Sequence, residues 1–247
     1  MSNLARGVGV LEEAFLSAGA PPLACRAMDL ALGGEPKRLD VASEGLWLFS
    51  FLTGRGSDVV ERLLGEGLGG ILRNCLSLGV SHGDAKVLMP ALRCVGNLFR
   101  GKESWAMEVL DADPDGVLQA ICSVIYQYDG SSPLPPLNHG ATRLAKEGLY
   151  SLTSLLTIGR DPHVAVMDVT KVRVSAFESG VLQKCVKNAS GPWHAPLTRP
   201  AVLALRAIAC PLGRVANNEP DWFARTLHST DIDGLCFLES LLLGLSS

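Results

Sequence analysis

The chain is 247 residues long, and 47% hydrophobic against 19% charged residues is enough apolar material for a packed core, which excludes a disordered chain. A formal net charge of −3 removes the surplus of Lys and Arg that binding to nucleic acid or an anionic membrane needs. No run of 18 apolar residues is present to cross a bilayer, and seven cysteines without a C-x-x-C pair point to a reducing cytoplasm or nucleus rather than a disulfide framework.

In chain order, residues 11–32 supply the last two helices of an incomplete leading unit, 9–54, and a repeat follows. Glu44-Gly45-Leu46-Trp47-Leu48-Phe49-Ser50-Phe51-Leu52 aligns with Pro90-Ala91-Leu92-Arg93-Cys94-Val95-Gly96-Asn97-Leu98 and with Glu147-Gly148-Leu149-Tyr150-Ser151-Leu152-Thr153-Ser154-Leu155. A fourth copy is Ala204-Leu205-Arg206-Ala207-Ile208-Ala209-Cys210. The anchors Trp47, Arg93, Tyr150 and Arg206 lie 46, 57 and 56 residues apart, one period with variable insertions. Apolar residues recur at intervals of three, at Leu92, Val95 and Leu98 for example, which keeps them on one helix face and would alternate them across a strand.

A second helix follows each of the first three copies, with buried stripes at Ile71, Leu72, Cys75 and Leu76, at Val117, Leu118, Ile121 and Cys122, and at Val181, Leu182, Cys185 and Val186. Gly234-Leu235-Cys236 opens a fourth, drifting copy, and the apolar run 235–245 reads as a final helix. Shorter helical stretches at 58–64, 104–110 and 164–177 complete a three-helix period. Gly, Pro and Ser cluster into loops at 79–84, 129–140 and 189–200. The expected fold is an all-α superhelical solenoid of about four three-helix repeats. It forms one domain, 1–247, with repeats at roughly 55–101, 102–160, 161–213 and 214–247.

Third helices reading Ala91-Leu92-Arg93-Cys94-Val95-Gly96-Asn97-Leu98, and a Gly at the turn into each second helix, resemble armadillo repeats of the importin-α type. That resemblance implies a concave groove in which a Trp and an Asn four residues on share one helix face, the Asn holding the backbone of a basic peptide and the Trp rings its Lys stems. The corresponding pairs here are Trp47 and Phe51, Arg93 and Asn97, Tyr150 and Ser154, and Arg206 and Cys210. No copy holds both residues, and Arg93 and Arg206 put positive charge where a basic peptide would lie. The candidate partner-binding residues are therefore Trp47, Phe51, Arg93, Asn97, Tyr150, Ser154 and Arg206.

Other motifs have simpler structural readings. Gly65-Glu66-Gly67-Leu68-Gly69-Gly70 matches G-x-G-x-x-G, with Asp84 placed like a ribose partner, but it joins two helices instead of following a strand. Asp111-Ala112-Asp113-Pro114-Asp115-Gly116 imitates a Ca²⁺ loop but has Cys122 where the bidentate Glu belongs; Asp113 instead caps a helix opened by Pro114. His82, His139, His163, His194 and His228 stand singly, and Cys75, Cys122 and Cys185 share a core stripe.

No catalytic constellation, metal site or cofactor is expected. The expected function is a non-enzymatic scaffold binding an extended protein segment on its concave face, in the cytoplasm or nucleus. The alternative is an importin-α-like import adaptor for basic cargo. An array that opens on a partial unit and closes on an apolar helix is also expected to be part of a longer array or to associate through its ends.

Overall fold

Apolar residues three and four apart give each helix one stripe to bury, and in a computed structural model those stripes stack helix against helix. The structure describes residues 10–110, 113–126, 139–158, 200, 203–204, 231–232 and 235–236. The chain divides into two compact units, Met1–Ala120 and Ile121–Ser247. In chain order the helices are α1 (Val10–Ser17), α2 (Ala20–Gly33), α3 (Leu39–Leu52), α4 (Ser57–Gly65), α5 (Leu68–His82), α6 (Ala85–Arg100), α7 (Glu103–Leu110), α8 (Pro114–Tyr126) and α9 (His139–Leu156). The order is short, long, long, three times over, and residues 10–52 hold all three helices of the leading set.

The three complete copies of the recurring segment lie in α3, α6 and α9, the expected short stretches at 58–64 and 104–110 are α4 and α7, and α8 opens on Pro114. Arg206, Cys210, the stretch at 164–177 and the second-helix copy at 181–186 lie outside the described residues.

Two expectations are corrected. The loop expected at 79–84 is mostly helix, because α5 runs on to His82. Gly79 is buried there, and a Cβ on it would come within 2.7 Å of Leu88 Cγ, so this glycine permits helix packing instead of making a turn. The turn is Gly83 in the left-handed region at φ 63°, followed by Asp84, whose carboxylate accepts the Lys86 amide at 2.8 Å as the N-cap of α6. The second correction concerns Leu235 and Cys236, expected to open a helix. They form β2 (Leu235–Cys236), paired antiparallel with β1 (Asp231–Ile232), Ile232 opposite Leu235.

Within the first unit, α3 and α6 are tied side by side in the same direction. Ser43 Oγ donates to Lys86 O at 3.0 Å, Cys94 Sγ to Leu46 O at 3.5 Å, and Asn97 Nδ2 to Ser50 O at 3.0 Å, offsets of 43, 48 and 47 residues. Leu46, Phe49, Leu92 and Leu98 are fully buried on these two helices.

Each tie also completes a backbone. Pro90 lies inside α6 and has no N–H for the carbonyl four residues back, Lys86 O, which is the acceptor that Ser43 takes up. Ser50 is among the last four residues of α3, whose carbonyls lack an intrahelical donor; Phe49 O accepts from Thr53 N and Leu52 O from Arg55 N, while Ser50 O accepts from Asn97. Arg73 on α5 does the same for α7, donating from Nη1 to Glu108 O at 2.7 Å and Val109 O at 3.0 Å. There the helices meet backbone to side chain, since a Cβ at Gly69 would lie 2.9 Å from the Glu108 carbonyl carbon.

Candidate functional site

The spacing that buries one face of α3 and α6 leaves a matching outer stripe on each. From Lys86 onward, the α6 residues not buried are Lys86, Met89, Arg93, Asn97 and Arg100, at steps of three and four, a single face with three cations and no carboxylate. On α3 the corresponding stripe carries Asp40, Glu44, Trp47 and Phe51.

Three of the sequence-predicted residues meet there. The Trp47 and Phe51 rings stack at 6.3 Å between centroids and 26° between planes. Arg93 lies over Trp47 with its guanidinium carbon 5.4 Å from the ring centroid, a cation–π contact between successive third helices. All three side chains are half-buried, so the cluster is held by packing while part of it faces solvent.

Asn97 is on the same face but is spent internally. Its amide nitrogen donates to Ser50 O at 3.0 Å and to Thr53 Oγ1 at 3.2 Å, and its oxygen accepts from Arg100 Nη2 at 2.6 Å. Arg100 Nε further donates to Gly96 O at 3.1 Å. The side chain that a peptide-clamping role would need thus caps α3 and positions Arg100.

Tyr150 and Ser154 are on α9, in the second unit. Lys146 Nζ lies 6.0 Å from the Tyr150 ring centroid, the same cation-over-ring pairing within one helix. Ser154 is 5% exposed and donates its hydroxyl to Tyr150 O at 2.8 Å, so it presents no hydroxyl outward. Arg206 lies outside the described residues. Sequence reading missed Ser43, Lys86 and Arg100. A proline inside a helix signals a carbonyl in need of a donor, and Lys86, Arg93 and Arg100 recur every seven residues, the period of one helix face.

The competing motifs resolve as packing. Gly65 ends α4, Gly67 makes the corner at φ 93°, and Gly69 admits the α7 backbone. Asp113 caps α8 by accepting the Gly116 amide at 2.8 Å. Burial pushes the Cys75 thiol up to about 12; at Cys25 burial, then Asp29 and Glu66, raise it to about 12; burial raises Cys94 further still. Thiols so protonated at neutral pH are poor nucleophiles. Among the described residues no group of three or more His, Cys, Asp or Glu is placed to hold a metal, and no helix is long and apolar enough to cross a membrane.

The fold is an all-α solenoid of armadillo type, built from three-helix repeats, with α3 and α6 side by side in the first unit. No family model matches the chain, and no curated protein does. Solved structures carry the likeness. An engineered protein superposes with a TM-score of 0.62 at 17% identity, over 99% of this chain and 87% of its own. A designed armadillo repeat protein in complex with the peptide (KR)4 gives 0.60 at 16% identity, covering 99% and 88%. A computationally designed armadillo repeat protein for modular peptide recognition gives 0.60 at 16% identity, covering 99% and 89%.

Proposed function

We propose that this chain is a non-enzymatic binding scaffold that takes an extended segment of another protein along the face of α3 and α6, in the cytoplasm or nucleus. The observation that carries the reading is the half-buried Trp47, Phe51 and Arg93 cluster joining α3 to α6. Aromatic and Arg side chains held rigid by packing yet open to solvent are what peptide-binding hot spots are made of. The fold supports it, since structures of this architecture include designs for peptide recognition.

Selecting peptides from a displayed library against the full chain, then measuring them by fluorescence anisotropy, tests the reading. Selected peptides should bind wild type and lose affinity to Trp47→Ala. Equal binding to both would place the ligand elsewhere.

A second reading is an import-type adaptor for basic cargo, favoured by the likeness to a design bound to (KR)4. Labelled (KR)4 titrated against the full chain is its test, and no binding at low salt would remove it.

A further inference from the structure

We infer that the open face of α2, carrying Leu23, Ala27 and Leu30, docks a second copy of this chain, which lays the same face of its own α2 against it, antiparallel, about a two-fold axis. This is a different surface from the α3 and α6 face proposed for a peptide.

Exposed apolar side chains give the place. Among the described residues the large apolar side chains left exposed are Leu23 at 67%, Leu30 at 70% and Val41 at 38%. Leu23, Ala27 and Leu30 follow one another at steps of four and three, so they share one face of α2, and all three are exposed.

The next repeat shows that a helix covers this position. Gly19 and Gly67, both left-handed, open α2 and α5, so Leu23 and Ala27 correspond to Ile71 and Cys75. Six residues past each glycine the register holds. Cys25 Sγ donates to Leu63 O on α4, and Arg73 to Glu108 O and Val109 O on α7, in each case the short helix that follows. Residues two before and two after these lie on the opposite side of the helix, away from the following unit. On α5, which packs on α2, that side is buried at Ile71 and Cys75; on α2 it is open.

The symmetry of the stripe gives the occupant. Leu23 and Leu30 lie equally far from a midpoint between Arg26 and Ala27. Two antiparallel copies of α2 therefore set each Leu23 against the other copy's Leu30, with the small Ala27 side chains at the axis, where the helices come closest. Arg26 and Asp29 are exposed on one flank of the stripe and form no ion pair among the described residues. A two-fold brings this flank against its own copy and sets Arg26 within one helical turn of the other copy's Asp29, twice over. A face carrying both signs in this order is complementary to itself.

Sedimentation equilibrium of the full chain tests the inference. Wild type should form a reversible dimer. Leu23→Glu and Leu30→Glu, at exposed positions, should each raise its dissociation constant by about tenfold or more while leaving the circular dichroism spectrum unchanged. Arg26→Asp and Asp29→Arg should each weaken self-association, because one variant presents two acids and the other two cations. Mixed together, these two variants should pair with each other more tightly than either pairs with itself, a gain that misfolding cannot produce.

A wild-type chain that stays monomeric at every concentration overturns the inference and leaves the stripe to another protein's helix. A dimer indifferent to Leu23→Glu and Leu30→Glu overturns the assignment to α2. A dimer that needs both leucines but shows no preference between the charge variants overturns the antiparallel arrangement, and growth beyond a dimer overturns the closed two-fold.

Discussion

Removing the Ser43 hydroxyl should cost stability only while Pro90 is present. Ser43, 9% exposed, donates to Lys86 O at 3.0 Å, the carbonyl that Pro90 leaves without its intrahelical partner. Ser43→Ala strands that acceptor between two packed helices, a loss of about 1–2 kcal/mol. Pro90→Ala restores an N–H at the right position and improves helix propensity by up to ~3 kcal/mol, against the loss of a buried ring, so its own effect is a balance. The coupling between the two changes is the cleaner quantity. In the Pro90→Ala background Lys86 O has a helical donor, and Ser43→Ala should then cost less than about 0.5 kcal/mol, a coupling of about 0.5–2 kcal/mol. Urea unfolding followed by helical circular dichroism resolves this, since a slope of about 2 kcal/mol/M turns 1–2 kcal/mol into a midpoint shift of roughly 0.5–1 M. An identical cost of Ser43→Ala in both backgrounds would refute the reasoning, because Ser43 would then act by packing alone.

Asn97→Ala should lower stability by about 1–3 kcal/mol in the same assay, since two donations and the hold on Arg100 are lost together; a variant as stable as wild type would return Asn97 to the list of free ligand-binding groups. Gly69→Ala should destabilise by about 2 kcal/mol or more because the new Cβ runs into the Glu108 backbone, whereas Gly45→Ala meets only the flexible Met28 side chain and should cost less; a reversed order in thermal melts would contradict the packing described. Cys25, Cys75 and Cys94 should resist thiol reagents at pH 8 until the chain is unfolded, and rapid native labelling of all three would be the adverse result. Their pKa values are raised by folding, so their stabilising contribution is complete below about pH 9 and is lost as pH rises towards 12, by up to about 1.4 kcal/mol per pH unit for each thiol. Stability that is flat from pH 8 to 10 would refute that linkage.

The recurrence of Leu92, Val95 and Leu98 in other copies was enough to place α3, α6 and α9, because a helix that buries one face must repeat its apolar residues at that spacing. Short apolar helices such as α4 and α7 were legible for the same reason. Gly79 misled, since a glycine that ends a helix and one that lets another helix approach are alike in a single sequence, and only Leu88 tells them apart. The Trp47, Phe51 and Arg93 cluster followed from aligning the copies, which is a statement about neighbours in space once helices stack. What Asn97 and Ser43 do was hidden, because it depends on carbonyls 47 and 43 residues away whose need is created by the end of one helix and a proline in another.

Those carbonyls bear on whether the repeats are interchangeable parts. Designed arrays treat each unit as a cassette, copied and spliced at will. Here α6 contains a gap in its own ladder that only a hydroxyl from the preceding third helix fills, and the end of α3 is finished by an amide from the following one. Exchanging the order of these two units, or grafting either into a consensus array, would leave an orphaned carbonyl at the seam unless Ser43 and Asn97 travelled with their counterparts. Ser43 and Asn97 make these neighbouring modules a matched pair, specific to each other in the way that two subunits of an obligate complex are.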